Sequence, residues 1–261
     1  MSFTGKSPAE TYKDILQIDN SNSGADSTAR TIKTGDGTSS AISLSDRHLK
    51  VKSNTNNTTA LDVLNASDAS KFSVDTTNNQ VKALGHHVNT QYAYFGIGAD
   101  MQQTLVADTH YGIPFFGMAQ KVEGWIADFG TGTDPDTSFT TANTLSQKGS
   151  QLAGLLWYVP DNITIDAVYS IEGADQATGD TTRMHLYSYT FNSGSTSALA
   201  DGTLLAHNSD VTNAGSEQAY LSTWTIDSSS VAAGKVICAF FRSDSVNSDY
   251  TTNITVKYHL T

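Results

Sequence analysis

Lys71-Phe72-Ser73-Val74-Asp75-Thr76-Thr77-Asn78-Asn79-Gln80-Val81-Lys82-Ala83-Leu84 decides how this chain reads. Phe72 and Val74 alternate with polar residues, a polar turn follows, and Val81 and Ala83 alternate again. That period of two belongs to a β-strand with one apolar and one polar face. The same pattern recurs upstream in Ala41-Ile42-Ser43-Leu44-Ser45-Asp46, in Leu49-Lys50-Val51 and in Ala60-Leu61-Asp62-Val63-Leu64-Asn65. Each unit offers two or three apolar residues and stops in a Ser, Asn, Asp or Thr turn. A single unit of this kind has no means of covering its own apolar face, so it must stack on neighbouring units or on other copies of the chain. The pattern points to an assembled, fibrous structural protein and away from an enzyme pocket.

Composition agrees. Of 261 residues, 38% are hydrophobic and 16% charged, against about 45–50% and about 25% in an ordinary soluble domain. Thr, Ser, Asn, Asp and Gly fill the gap and favour strands and turns over helices. A net charge of −11 argues against a nucleic-acid partner, because phosphate binding needs clustered Lys and Arg. The one cysteine, Cys238, lies in the apolar run Val236-Ile237-Cys238-Ala239-Phe240-Phe241 and reads as an inert core residue. No basic-apolar leader and no run of about 18 apolar residues is present. The expectation is synthesis in a cytoplasm, no membrane span and no cofactor.

Three regions follow from the pattern. Residues 1–37 are expected to be an anchor helix and linker. Ser7-Pro8-Ala9-Glu10 reads as a capping box with Pro at the first helical position, and Tyr12, Ile15 and Leu16 as one apolar stripe that docks on a partner. Residues 38–91 are expected to be an intertwined short-strand stem and neck, with Ile42, Leu44, Leu61, Val63, Phe72 and Val74 forming a core shared between chains. Residues 92–261 carry longer, aromatic strand candidates at 92–96, 114–119, 122–127, 152–159, 163–171, 183–191, 219–226, 235–242 and 250–260. Strands separated by Gly, Asn, Asp and Ser turns predict a jelly-roll-like β-sandwich. The run 235–242 predicts a strand buried on both faces, as a subunit contact would bury it.

The candidate chemical sites are weak. His86 and His87 point to opposite sides of an extended segment, so one metal ion would need several copies around an axis. Asp134-Pro135-Asp136 is an oxygen-rich loop without the spacing of a calcium-binding EF-hand, and reads as a solvated loop. Glu123, Asp166 and Glu172 would need a separation of about 5–9 Å for glycoside hydrolysis, which spacing in sequence does not supply. No catalytic residue and no metal ligand is assigned. Trp157, Tyr158, Tyr169, Tyr187, Tyr189 and Trp224 either fill a core or offer an aromatic platform for sugars.

The stretch Thr4-Gly5-Lys6-Ser7-Pro8-Ala9-Glu10-Thr11-Tyr12-Lys13-Asp14-Ile15-Leu16-Gln17-Ile18-Asp19-Asn20, followed by Ile42-Ser43-Leu44-Ser45-Asp46 and by residues 72–81, resembles segments of bacteriophage virion proteins, especially those of marine phages. In those proteins such segments belong to tail fibres, head fibres and capsid decoration proteins. The resemblance covers roughly the first third of the chain. It implies a non-enzymatic homotrimer in the virion, held through its N-terminus on a major capsid protein or another virion protein. The alternative it implies is a tail fibre that recognises a host surface glycan.

Overall fold

In the computed structural model the polar punctuation between short apolar runs becomes hairpin turns. Residues 13, 15–21, 23–97, 105–115, 129–141, 149–175, 178–215, 217–247 and 250–261 are described. The chain is mainly β, in four antiparallel sheets, and divides into two compact units, Met1–Val88 and Asn89–Thr261.

The N-terminal unit holds two four-stranded meanders in which each strand pairs with its sequence neighbour. The first comprises β1 (Leu16–Ile18), β2 (Arg30–Thr34), β3 (Ser39–Leu44) and β4 (Leu49–Val51). The second comprises β5 (Leu61–Leu64), β6 (Ser70–Asp75), β7 (Gln80–Ala83) and β8 (His86–His87). Side chains build the turns. Asp75 Oδ1 accepts the backbone N–H groups of Thr77 and Asn78, each at 2.9 Å, and Asn79 takes a left-handed φ of 56°. Asn65 Oδ1 does the same for Ser67 and Ala69. Between β7 and β8 the turn is only Leu84-Gly85, and both residues have positive φ, as a tight twisted hairpin demands.

Two expectations for the N-terminus change here. Among the described residues the anchor helix is not seen: Leu16–Ile18 is a strand, registered Leu16 to Thr34 and Ile18 to Ile32. A helix this short is marginal in water, and edge pairing supplies its backbone with partners. Tyr12 and the capping box at residues 7–10 lie outside the described residues. The expected linker contains β2, which sits inside the first sheet.

The C-terminal unit holds β9 (Thr90–Ile97), β10 (Tyr111–Ile113), a single helical turn α1 (Gly149–Leu152), β11 (Trp157–Tyr158), β12 (Ile163–Asp175), β13 (Thr181–Phe191), β14 (Leu199–His207), β15 (Val211–Thr212), β16 (Glu217–Thr223), β17 (Thr225–Ile226), β18 (Ser230–Val231), β19 (Lys235–Ser243) and β20 (Tyr250–Leu260). The larger sheet runs β10-β19-β13-β14-β17, with β11 also on β19 and β15 on β13. The smaller runs β16-β12-β20-β9, with β18 on β12. Strand candidates at 116–119 and 122–127 lie outside the described residues.

One apolar layer joins the two sheets. Phe95, Ile163, Ile165, Val168, Ile254 and Val256 of the smaller sheet meet Met184, Leu186, Ile237, Ala239 and Phe241 of the larger. A second apolar layer covers the outer face of the larger sheet. There Tyr187, Tyr189, Val236, Cys238 and Phe240 pack under Phe129, Phe139, Leu152 and Leu155. Phe129 lies 4.5 Å from Phe240 and 4.8 Å from Phe139, ring centre to ring centre. The run Val236–Phe241 is therefore buried on both faces, and its outer cover comes from the same chain.

Candidate assembly surfaces

The register of the second meander places Val63, Phe72, Ala83 and His86 in one row across β5 to β8. Leu61, Val74 and Val81 form the next row, which Val88 extends through its backbone bond to Val81. All of these side chains share one face. The opposite face carries Asp62, Ser73, Lys82 and His87. The first meander is built the same way. Leu16, Ile18, Ile32, Ile42, Leu44, Leu49 and Val51 lie on one face together with Arg30 and Thr34, and Gln17, Lys33, Thr31, Ser43 and Lys50 on the other.

No apolar side chain of the N-terminal unit is buried, among the described residues; the only buried residue there is Gly35. Ile42, Leu61 and Val63 are exposed, and Leu44, Phe72 and Val74 half-buried. The candidate stem residues thus lie on two largely apolar faces, one per meander, and none of them is fully buried among the described residues. Ile15 and Leu16 are exposed, but in an extended chain they point apart and form no helical stripe. Two ion pairs brace the first meander, one on each side: Asp26 to Arg30 at 2.8 Å, on the side of Leu44, and Asp19 to Lys33 at 2.7 Å, on the polar side. Hydrogen bonding to these cations lowers both carboxyl pKa values.

His86 faces the apolar side of its sheet and His87 the polar side, so the two do not chelate one ion. Asp166 sits at a bulge in β12 and accepts from or pairs with His259 Nδ1 at 2.9 Å. Glu172 is six residues further along the same strand, roughly 20 Å away, too far for a carboxylate pair. Glu123 lies outside the described residues. Trp157, Tyr187, Tyr189 and Trp224 are buried; Tyr158 and Tyr169 are exposed.

Two buried polar features were not foreseen. Glu172 is 1% exposed between the sheets; Thr182 donates to its Oε1 at 2.6 Å, while Oε2 has no hydrogen-bond partner. Burial pushes its pKa up to about 7. On the outer face of the larger sheet, His185 meets His110 edge to face and stacks on His207, at ring-centre distances of 5.1 and 6.4 Å. Burial drives the His185 pKa down to about 2 and that of His110 to about 4. Asp134 Oδ1 lies 3.3 Å from His185 Nε2, yet neither ring nitrogen of His185 is hydrogen-bonded, so a neutral ring makes no ion pair there. Loop 129–134 covers this cluster, and His110 Nε2 meets Gly132 O at 3.1 Å. The Asp134-Pro135-Asp136 loop is thus part of a lid over histidines. Residues 110, 185 and 207 are too far apart in sequence to announce that meeting.

No family model matches the chain, and no curated protein sequence matches it. Among solved structures it is similar to an aminopeptidase from a marine sediment archaeon, Thaumarchaeota archaeon, at 9% identity and a TM-score of 0.31, covering 72% of this chain and 40% of that one. It is also similar to a structure of infectious bursal disease virus, Gx strain, at 8% identity and a TM-score of 0.24, covering 69% and 54%. The chain spans about half the length of these neighbours or less, and likenesses this slight carry no argument about function.

Proposed function

We propose that this protein is a non-enzymatic structural component of a phage virion, a homotrimer whose N-terminal sheets form a shared β stem. One observation carries the reading: two four-stranded sheets, each with a largely apolar face, and no buried apolar side chain among the described residues of their unit. Other copies of the same chain are the natural cover, since each brings the same faces. The resemblance of residues 4–20, 42–46 and 72–81 to phage virion segments supports the virion setting. In this reading Ile15 and Leu16 attach the stem, in extended form, to a major capsid protein or another virion protein. The C-terminal unit is the outward part, a jelly-roll-like sandwich, supported by its two facing antiparallel sheets. A capsid decoration or head-fibre role fits the short stem; a tail fibre would sit in few copies and bind a host surface glycan.

Sedimentation equilibrium of the full chain tests it. The expected mass is about three times 27.8 kDa. Phe72→Asp places a carboxylate from each copy in the shared core, where an unpaired buried charge costs several kcal/mol, and is expected to yield monomers. A wild-type chain that stays monomeric at micromolar concentration, or a variant that still sediments as a trimer, refutes the stem. Densitometry of virions then separates the two roles by copy number.

A further inference from the structure

A third bare face lies on the C-terminal unit. On the outer side of the smaller sheet, Thr223, Tyr169, Thr255 and Tyr94 form one row across β16, β12, β20 and β9. Leu221, Ile171, Asn253 and Gly96 form the next, with Ala167, Lys257 and Tyr92 on one side and Ala219, Gly173 and Thr251 on the other. Leu221 is 76% exposed, Ile171 56%, Tyr92 53%, Tyr94 46% and Tyr169 40%. In a chain with 26 acidic residues, these rows contain no carboxylate and one lysine; the first carboxylate on this side of β16 is Glu217, beyond Ala219 at their end. Charge depletion with tyrosine enrichment is the composition of an interface core.

We propose that this face packs against the same face of other copies of the chain, an inference that rests on the stem-mediated trimer. Size selects that occupant. Taking roughly 200 Å² per aromatic side chain and about half that per aliphatic one, the five exposed residues leave about 400 Å² bare. A free-standing partner interface needs about 800 Å² on each side, so this face is too small to recruit an independent protein. Copies already tethered by the stem meet it at high effective concentration, because association costs its translational freedom only once. Charge selects it too: chains of net charge −11 repel one another everywhere except where carboxylates are absent. A face that lines the threefold axis brings its residues nearest the axis close to their equivalents in the other copies, and Tyr, Ile, Leu and Thr tolerate self-contact.

Nitration with tetranitromethane of the full chain, analysed by peptide, tests the face. Tyr158, exposed on the larger sheet, is the internal reference. In the assembled protein Tyr92, Tyr94 and Tyr169 are expected to react several-fold more slowly than Tyr158, and in the Phe72→Asp monomer as fast as it. The double variant Ile171→Glu/Leu221→Glu, altered only at exposed positions, is expected to assemble with a dissociation midpoint raised about tenfold. An assembled protein whose three tyrosines react as fast as Tyr158 overturns the face and leaves the stem standing. Protection that then arises only on adding dextran assigns the face to a glycan instead. Protected tyrosines in a Phe72→Asp protein that remains assembled overturn the stem and keep the face. A wild-type chain that is monomeric throughout overturns both.

Discussion

Replacing Glu172 by glutamine removes one titrating group from between the two sheets of the C-terminal unit and leaves its shape almost unchanged. Thr182 still donates to an oxygen of the amide, and the second terminal atom loses nothing, since Oε2 has no partner. The groups around it are Thr182 on β13, Tyr220 and Thr252 across the sheet, and Tyr250. No cation among them stabilises an ionised carboxylate. Burial raises the folded pKa from 4.5 to about 7. Between those two pH values the native state holds a proton that the unfolded state has released. Stability contributed by the neutral acid is therefore complete below pH 4.5, falls as pH rises, and is gone above about pH 7. A shift of this size, at 1.36 kcal/mol per unit, amounts to about 3 kcal/mol.

The wild-type profile alone hides this loss. His110 and His185 have folded pKa values depressed to about 4 and about 2, so the unfolded chain takes up their protons first, and stability falls as pH drops below 6.5. The two slopes oppose each other between pH 4.5 and 6.5. Subtracting the wild-type from the Glu172→Gln profile cancels the histidines and leaves the carboxyl. Urea unfolding followed by the fluorescence of Trp157 and Trp224, both buried in this unit, supplies the two profiles. The difference is expected to move in favour of the variant by about 3 kcal/mol from pH 4.5 to pH 8, with all of the change below about pH 7.5. A flat difference, or one that moves against the variant, refutes the claim that Glu172 is buried neutral.

Three further outcomes follow from the same packing. His185→Phe is expected to lose about 2 kcal/mol less stability than wild type between pH 7 and pH 5, read from paired urea curves. Gly202→Ala should destabilise by about 1–3 kcal/mol, because its Cβ would stand 2.6 Å from Tyr189 Cε1 and 2.7 Å from Thr137 Cα, and backbone does not yield as a side-chain tip does; thermal melts against wild type check it. Cys238 is fully buried and its thiol pKa is raised by desolvation, so native protein should leave Ellman's reagent unreacted until urea unfolds the C-terminal unit.

Strands were legible wherever alternation ran for four residues or more with a turn at each end. Phe72 and Val74 opposite Ala83 and Val81 is a pairing their spacing anticipates. Leu16-Gln17-Ile18 was not, since three residues fit either period and the neighbouring capping box favoured a helix. What breaks the tie is β2, whose single large apolar residue, Ile32, hides inside a Ser/Thr-rich stretch. β14 escaped for another reason. Asp201-Gly202 reads as a turn, but the strand runs through it with Asp201 at a φ of 54°, where β13 and β14 slip register and Gly202 passes beneath Tyr189. The buried histidines were illegible because no local rule links residues 110, 185 and 207.

The same contrast bears on function. The outer face that the chain covers with its own Phe129, Phe139, Leu152 and Leu155 carries His185, which has no hydrogen bond, the thiol, and the packed rings of Tyr187, Tyr189 and Phe240. Its contents need a fixed, dry cover, because a neutral buried imidazole and a shaped aromatic stack tolerate no loose fit. The three faces left bare carry Leu, Ile, Val, Thr and Tyr on regular strands, side chains that sit in water at modest cost and gain when a matching surface arrives. A chain that covers one sheet face with its own residues and leaves three others largely exposed among the described residues fits the proposed self-assembly, in which each copy supplies the cover for the next.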